Sequence, residues 1–182
     1  MKKLLLCALL ISTVSFGQNF DNIEIGKPTS EVVKALTKKG FKFAVKNNNT
    51  QLYTGRLSNN ELVTVYITST PKSSIVWRMI VETDTEKFNI AKLYYDSYAD
   101  NFTSLFGKPS YNVKEFIDPY KDGDGKELEA FQNYKANWVA NWDLLDFGQD
   151  LTIKISNNQG YFAFVRVFEN LDATAKDRDE KE

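Results

Sequence analysis

The sequence predicts an α+β fold made of two tandem units, each a helix followed by an antiparallel meander, with each helix packed on one face of its sheet. Three observations carry this prediction. Two stretches of helical periodicity are separated by long runs in which apolar and polar residues alternate. The alternating set Val63, Val65 and Ile67 returns as Leu151, Ile153 and Ile155, 88 residues further on. Consecutive strands beside a single helix favour a layered arrangement in which the helix covers its own sheet.

The chain opens MKKLLLCALLISTVSFGQ, with two lysines, an apolar run from Leu4 to Val14 and small residues at Ser15 and Gly17. This is the layout of a secretory signal peptide over residues 1–17, and its apolar run is too short for a membrane anchor. Cleavage after Gly17 leaves Gln18 first and discards Cys7, the one cysteine. The expectation is therefore an exported protein, in the periplasm or at the cell surface, held by packing without disulfides.

In the first unit, residues 18–84, Pro28-Thr29-Ser30-Glu31 supplies a capping hydroxyl and an acid for the first helical turn. Val32, Val33 and Leu36 form its apolar stripe, and Gly40 ends it. Strands are predicted over 41–46, 51–57, 61–69 and 74–83, with Asn59-Asn60 as a hairpin turn. The second unit, residues 85–172, begins with Phe88, Ala91, Tyr95, Tyr98, Phe102 and Leu105 at helical spacing until Gly107-Lys108-Pro109 stops the helix. Strands follow over about 110–117, 131–145, 149–156 and 160–169, the last two joined by a turn at residues 157–160.

The 88-residue shift pairs Leu57 with Leu145, Thr64 with Thr152, Arg78 with Arg166 and Asp84 with Asp172. The helix-terminal glycines, Gly40 and Gly107, differ by only 67 positions, so the second unit carries 21 further residues, an insertion at about 110–133. The charged, aperiodic end of the chain, residues 173–182, reads as a disordered tail.

The stretch from Gly26 through Lys27, Pro28, Thr29, Ser30, Glu31, Val32 and Val33 to Phe41, followed by a meander and then a second helix and meander, resembles the tandem units of the β-lactamase-inhibitory-protein-like fold and of secreted bacterial proteins built the same way. The resemblance is architectural. It implies a non-enzymatic binding surface on a sheet and assigns no residue to it.

Composition excludes several chemistries. Histidine is absent, which removes the commonest general base and metal ligand. The formal charge of −1 becomes −3 once Lys2 and Lys3 are lost with the leader, and the charges are dispersed, so there is no footprint for nucleic acid. No other apolar run has the length of a transmembrane helix. No cofactor is expected, and no catalytic constellation is nominated.

Within the insertion, the stretch DPYKDGDGKELEAF (118–131) has the composition of a calcium loop, but the register that starts at Asp118 places Tyr120 where an oxygen ligand belongs. A solvated turn is the preferred reading, with no metal. Ser69-Thr70-Pro71-Lys72 matches a Ser-x-x-Lys pattern without the helix or companion motifs that give it meaning. Tyr134, Ala136, Trp138, Ala140 and Trp142 share one strand face and read as core beneath the aromatic second helix. If instead they lined a cleft, Tyr134, Trp138 and Trp142 would suit a carrier of a glycan or an apolar small molecule.

The last strand of each unit carries an arginine. Arg78 lies with Val76 and Ile80, and Arg166 with Phe164 and Phe168, on faces that the repeat makes equivalent. Both strands are apolar on both faces, and one helix per unit covers only one. Either the arginines pair with carboxylates such as Asp143 or Glu61, or they sit in an exposed apolar patch at a protein interface. The functional expectation is a binding module that meets a protein partner in the cell envelope through an open sheet face, with Arg78, Arg166, Val76, Phe164 and Phe168 as binding residues.

Overall fold

The computed structural model describes residues 19–85, 87–144, 148–158 and 161–179; the predicted leader and the final residues 180–182 lie outside them. The class is α+β. A short hairpin, β1 (Asn19–Phe20) and β2 (Ile23–Glu24), leads into α1 (Thr29–Lys38). Four strands follow, β3 (Lys42–Asn47), β4 (Thr50–Arg56), β5 (Leu62–Ser69) and β6 (Val76–Thr85). Then come α2 (Phe88–Phe106), β7 (Tyr111–Phe116), α3 (Glu127–Gln132), β8 (Ala136–Leu144), β9 (Gln149–Asn158), β10 (Tyr161–Asn170) and α4 (Leu171–Asp179).

The eight long strands form one continuous antiparallel sheet in the order β3-β4-β5-β6-β10-β9-β8-β7. The expectation that each helix has its own sheet is thereby modified: two meanders meet along β6 and β10, which pair over eight positions from Phe162 with Thr85 to Glu169 with Arg78.

Local chemistry explains the element ends. At the C-terminus of α1 the Gly40 N–H reaches Thr37 O at 2.9 Å and the Phe41 N–H reaches Leu36 O at 3.1 Å. This double closure needs a left-handed residue, and Gly40 supplies it with φ +86°. The N-terminus departs from expectation. Pro28 occupies the cap, with no side-chain hydrogen bond, and the Thr29 hydroxyl instead bonds Ser69 Oγ at 2.6 Å and donates to Ser74 O at 2.7 Å. The hydroxyl ties the helix to the β5–β6 connection.

One face of the sheet buries the core. Val32 and Leu36 from α1, Phe88, Ala91, Tyr95 and Phe102 from α2, and Phe131 from α3 join Val63, Val65, Ile67, Met79, Val81, Ile153, Phe162 and Phe164 in a single cluster. Trp138 and Trp142 belong to it, each 2% exposed, as the packing reading required. Trp138 meets Phe88, Tyr95, Phe116 and Phe131, while the Trp142 indole N–H donates to Gly107 O at 3.0 Å. The carrier cleft suggested for Tyr134, Trp138 and Trp142 is not assembled, because Tyr134 lies outside β8, 65% exposed.

Two segments differ from the sequence prediction. Residues 127–132 in the insertion form α3, which brings Ala130 and Phe131 into the core. Residues 171–179 form α4 where a disordered tail is expected. The Ala173 N–H donates locally to Asn170 Oδ1, and a tertiary contact holds the helix: Asp177 Oδ1 accepts both the N–H and the hydroxyl of Ser73 at 2.9 Å. A window with no periodicity cannot reveal such anchors.

The core also encloses a charge. Arg166 is 1% exposed, and its Nη2 lies 2.8 Å from Glu61 Oε1 and 2.8 Å from Thr83 Oγ1, with Nη1 2.6 Å from the Tyr98 hydroxyl. Thr83 also donates to Glu61. Removing one member of a buried pair strands the other, at a cost of about 3–5 kcal/mol. Arg166→Met is expected to lower unfolding free energy in urea by about that amount. The double variant Arg166→Met with Glu61→Leu should recover much of it.

Candidate functional site

The faces of β6 and β10 decide where the predicted binding residues go. Val65 lies opposite Val81 and Ile153 lies opposite Arg166. Taking Ile153 as the counterpart of Val65, as the 88-residue shift expects, the residue equivalent to Arg166 is Val81, 85 residues earlier and not 88. The β5–β6 connection is longer than the β9–β10 turn and ends in a bulge between Thr68 and Ser69. An odd offset reverses the strand faces. Arg78 and Arg166 therefore lie on opposite faces, which corrects their expected equivalence.

Arg166, Val76, Phe164 and Phe168 are all core residues, so they cannot form the exposed patch predicted for them. Of the two carboxylates named for Arg166, Glu61 is the partner. Arg78 alone of the set lies on the face opposite α1, α2 and α3, where its Nε is 3.0 Å from Glu169 Oε1. The Arg78 guanidinium carbon is 5.9 Å from the Trp77 ring centroid.

Around Arg78 the second face of the sheet has a definite pattern. Tyr66, Ile80, Val167 and Thr152 line up across β5, β6, β10 and β9. One row away stand Thr64, Glu82, Val165 and Lys154. On the other side stand Thr68, Arg78, Glu169 and Asp150. The core residues of α1, α2 and α3 belong to the opposite face. Ile80 and Tyr66 stay half-buried, while Val165 and Val167 are shielded. The result is a narrow apolar strip with charged pairs on both flanks.

Next to the strip, Glu82, Asp84, Ser156, Tyr161 and Ala163 line a notch of about 660 Å³. Burial pushes the Glu82 carboxyl above the ordinary glutamate range, against the opposing effect of the Tyr66 hydroxyl bonded to it. Burial also pushes the Tyr66 phenol up to about 12, assisted by the Glu82 charge. Half-buried polar groups of this kind are costly to leave without a partner.

The acidic insertion serves its own backbone. Asp124 accepts the N–H groups of Lys121 and Lys126 at 2.9 and 2.7 Å, and Glu127 accepts the N–H of Gly123 at 3.1 Å. The Tyr120 hydroxyl donates to Glu129 at 2.9 Å. Among the described residues, no group of three or more potential metal ligands converges. Ser69 of the Ser-x-x-Lys match bonds Thr29 and faces no base.

The sequence signal that could have found this face was the second apolar set on β6 and β10; the missing information was which arginine shared it. Comparison with known proteins finds no matching family model, curated protein or solved structure.

The Glu82 carboxyl has a testable consequence. Its folded-state affinity for a proton exceeds the unfolded one, so at neutral pH the fold bears the cost of a half-buried charge. Glu82→Gln should raise the thermal midpoint at pH 7. That advantage should shrink as pH falls through the raised folded value towards the ordinary glutamate range, read by paired thermal melts across acid pH.

Proposed function

We propose that the protein is an exported, non-enzymatic binding module that engages a protein partner in the cell envelope through the open face of its sheet. The observation that carries this reading is the row of half-buried Tyr66 and Ile80 beside the shielded Val167, flanked by Arg78 on the face opposite α1, α2 and α3. An arginine beside aromatic and aliphatic residues has the composition of an energetic centre, and the charged pairs around it suit a polar rim. The resemblance to tandem units that bind through a sheet points the same way. The absence of histidine, and of any cysteine beyond Cys7, supports a role without catalysis.

Glycan or lipid carriage through Tyr134, Trp138 and Trp142 has no comparable support, since the two tryptophans are core. The corrected binding set is Arg78 with Tyr66 and Ile80. Export rests on the leader-like residues 1–17.

A photocrosslinking residue placed at Ile80, expressed in the native envelope, should yield a discrete protein adduct, whereas the same residue at Leu93 on the outer side of α2 should not. Arg78→Glu should weaken capture by about tenfold or more. Equal labelling from both positions, or an adduct indifferent to Arg78, would refute the reading.

A further inference from the structure

At the end of the sheet where α4 crosses β6, a second cavity of about 560 Å³ lies between the β3–β4 turn, the β5–β6 connection and α4. This volume is in the range of ligand pockets, about 300–1,000 Å³. Its lining includes Trp77, Asn49, Thr68, Lys72, Thr174 and Asp177. We infer that this cavity binds a neutral saccharide, with one pyranose ring laid against Trp77 and its hydroxyls read by Asn49, Lys72 and Asp177. The site is separate from the strip of Tyr66, Ile80 and Val167, and the inference does not depend on that strip having a partner.

Trp77 differs from the other two tryptophans. Trp138 and Trp142 are each 2% exposed, whereas Trp77 is half-buried and borders the cavity. Its indole N–H makes no hydrogen bond among the described residues, while that of Trp142 is committed to Gly107 O. A large flat apolar surface with a free polar edge, left at the wall of a cavity, is costly to hydrate and well suited to a ring with one apolar side.

Two polar side chains of the rim, those of Asn49 and Lys72, are also uncommitted among the described residues. Asn49 gives its carbonyl oxygen to the Ser69 N–H at 2.9 Å, but its side-chain amide has no partner among the described residues. The amide offers both donors and an acceptor. Lys72 forms no ion pair within 4.0 Å among the described residues, which leaves three donor hydrogens available. Asp177 Oδ1 accepts from Ser73, a contact that fixes the carboxylate while leaving acceptor sites on the group.

These features select among ligand classes. Each sugar hydroxyl donates and accepts at once, which matches a rim of mixed donors and acceptors, and the axial C–H face of the ring matches an indole. A fatty chain would strand the amide, the ammonium and the carboxylate away from water. A phosphate or other anion would meet the Asp177 carboxylate beside the single ammonium of Lys72. One acid and one base leave the cavity near neutrality, so an uncharged ligand is favoured.

The test uses the full chain, labelled with 15N and titrated with cellobiose, maltose and N,N′-diacetylchitobiose, following the three indole N–H signals. A single ring on one tryptophan should bind in about the millimolar range. At least one disaccharide should shift the Trp77 signal saturably and leave those of Trp138 and Trp142 in place. Asn49→Ala and Lys72→Met, both exposed positions that carry no core contact, should each weaken binding about threefold or more, as loss of one hydrogen bond implies. Trp77→Phe should abolish it and assign the signal. The inference is overturned if none of the three sugars moves the Trp77 signal saturably, or if both rim variants bind as the parent does.

Discussion

The Arg166–Glu61 pair is the constraint to which the rest of the molecule is fitted. A guanidinium at 1% exposure is tolerable only with its charge balanced, and three segments besides its own strand bring partners to its Nη atoms, the buried Nε–H having none among the described residues. Glu61 comes from the β4–β5 turn, Thr83 from β6, Tyr98 from α2, and the arginine from β10. The rings of Tyr98, Phe164 and Phe20 lie 4.8, 5.2 and 5.8 Å from the guanidinium carbon. Since Arg166 stands opposite Val81 on the β6–β10 seam, the pair also fixes how the two meanders are brought together. A well-packed nonpolar replacement of both partners is often as stable.

Much of this fold could be read in the chain. The alternation of Val63, Val65 and Ile67 placed β5, the aromatic spacing of residues 88–105 placed α2, and Gly40 and Gly107 marked two helix ends. What could not be read was parity across a connection. Whether Arg78 faces the helices depends on the number of residues in the β5–β6 link and on the bulge that ends it, neither of which leaves an alternating signature. The same gap hid α3 and α4. Each is short and secured by a few distant contacts, such as Phe131 beneath α2 and Asp177 at Ser73, and not by a stripe of its own. The candidate site is thus half legible: that β6 and β10 are apolar on both faces can be read, while four of the five residues expected on the open one, Arg166, Val76, Phe164 and Phe168, belong to the core.

The sheet has two ways to meet another protein, through its edges or through its open face. The edges are guarded. β3 carries Lys42 and Lys46 and has an irregular register between Phe43 and Val45, and β7 carries Lys114, whose ammonium lies 4.3 Å from the Trp138 ring centroid. Lysines and bulges discourage a foreign strand from extending a sheet. The open face has no such guard: Tyr66 and Ile80 are half-buried there, beside the buried Val165 and Val167. That contrast favours recognition by side chains on a broad surface over recognition by backbone.

The placement of β10 also governs the order in which the molecule can be made. It is the last strand in the chain yet fifth across the sheet, between β6 and β9, so no nascent fragment that stops before residue 161 can join its two meanders. The arginine that neutralises Glu61 arrives at the same late moment. Until then the growing polypeptide holds, at Glu61, an acid without its guanidinium where the interior of the two meanders closes.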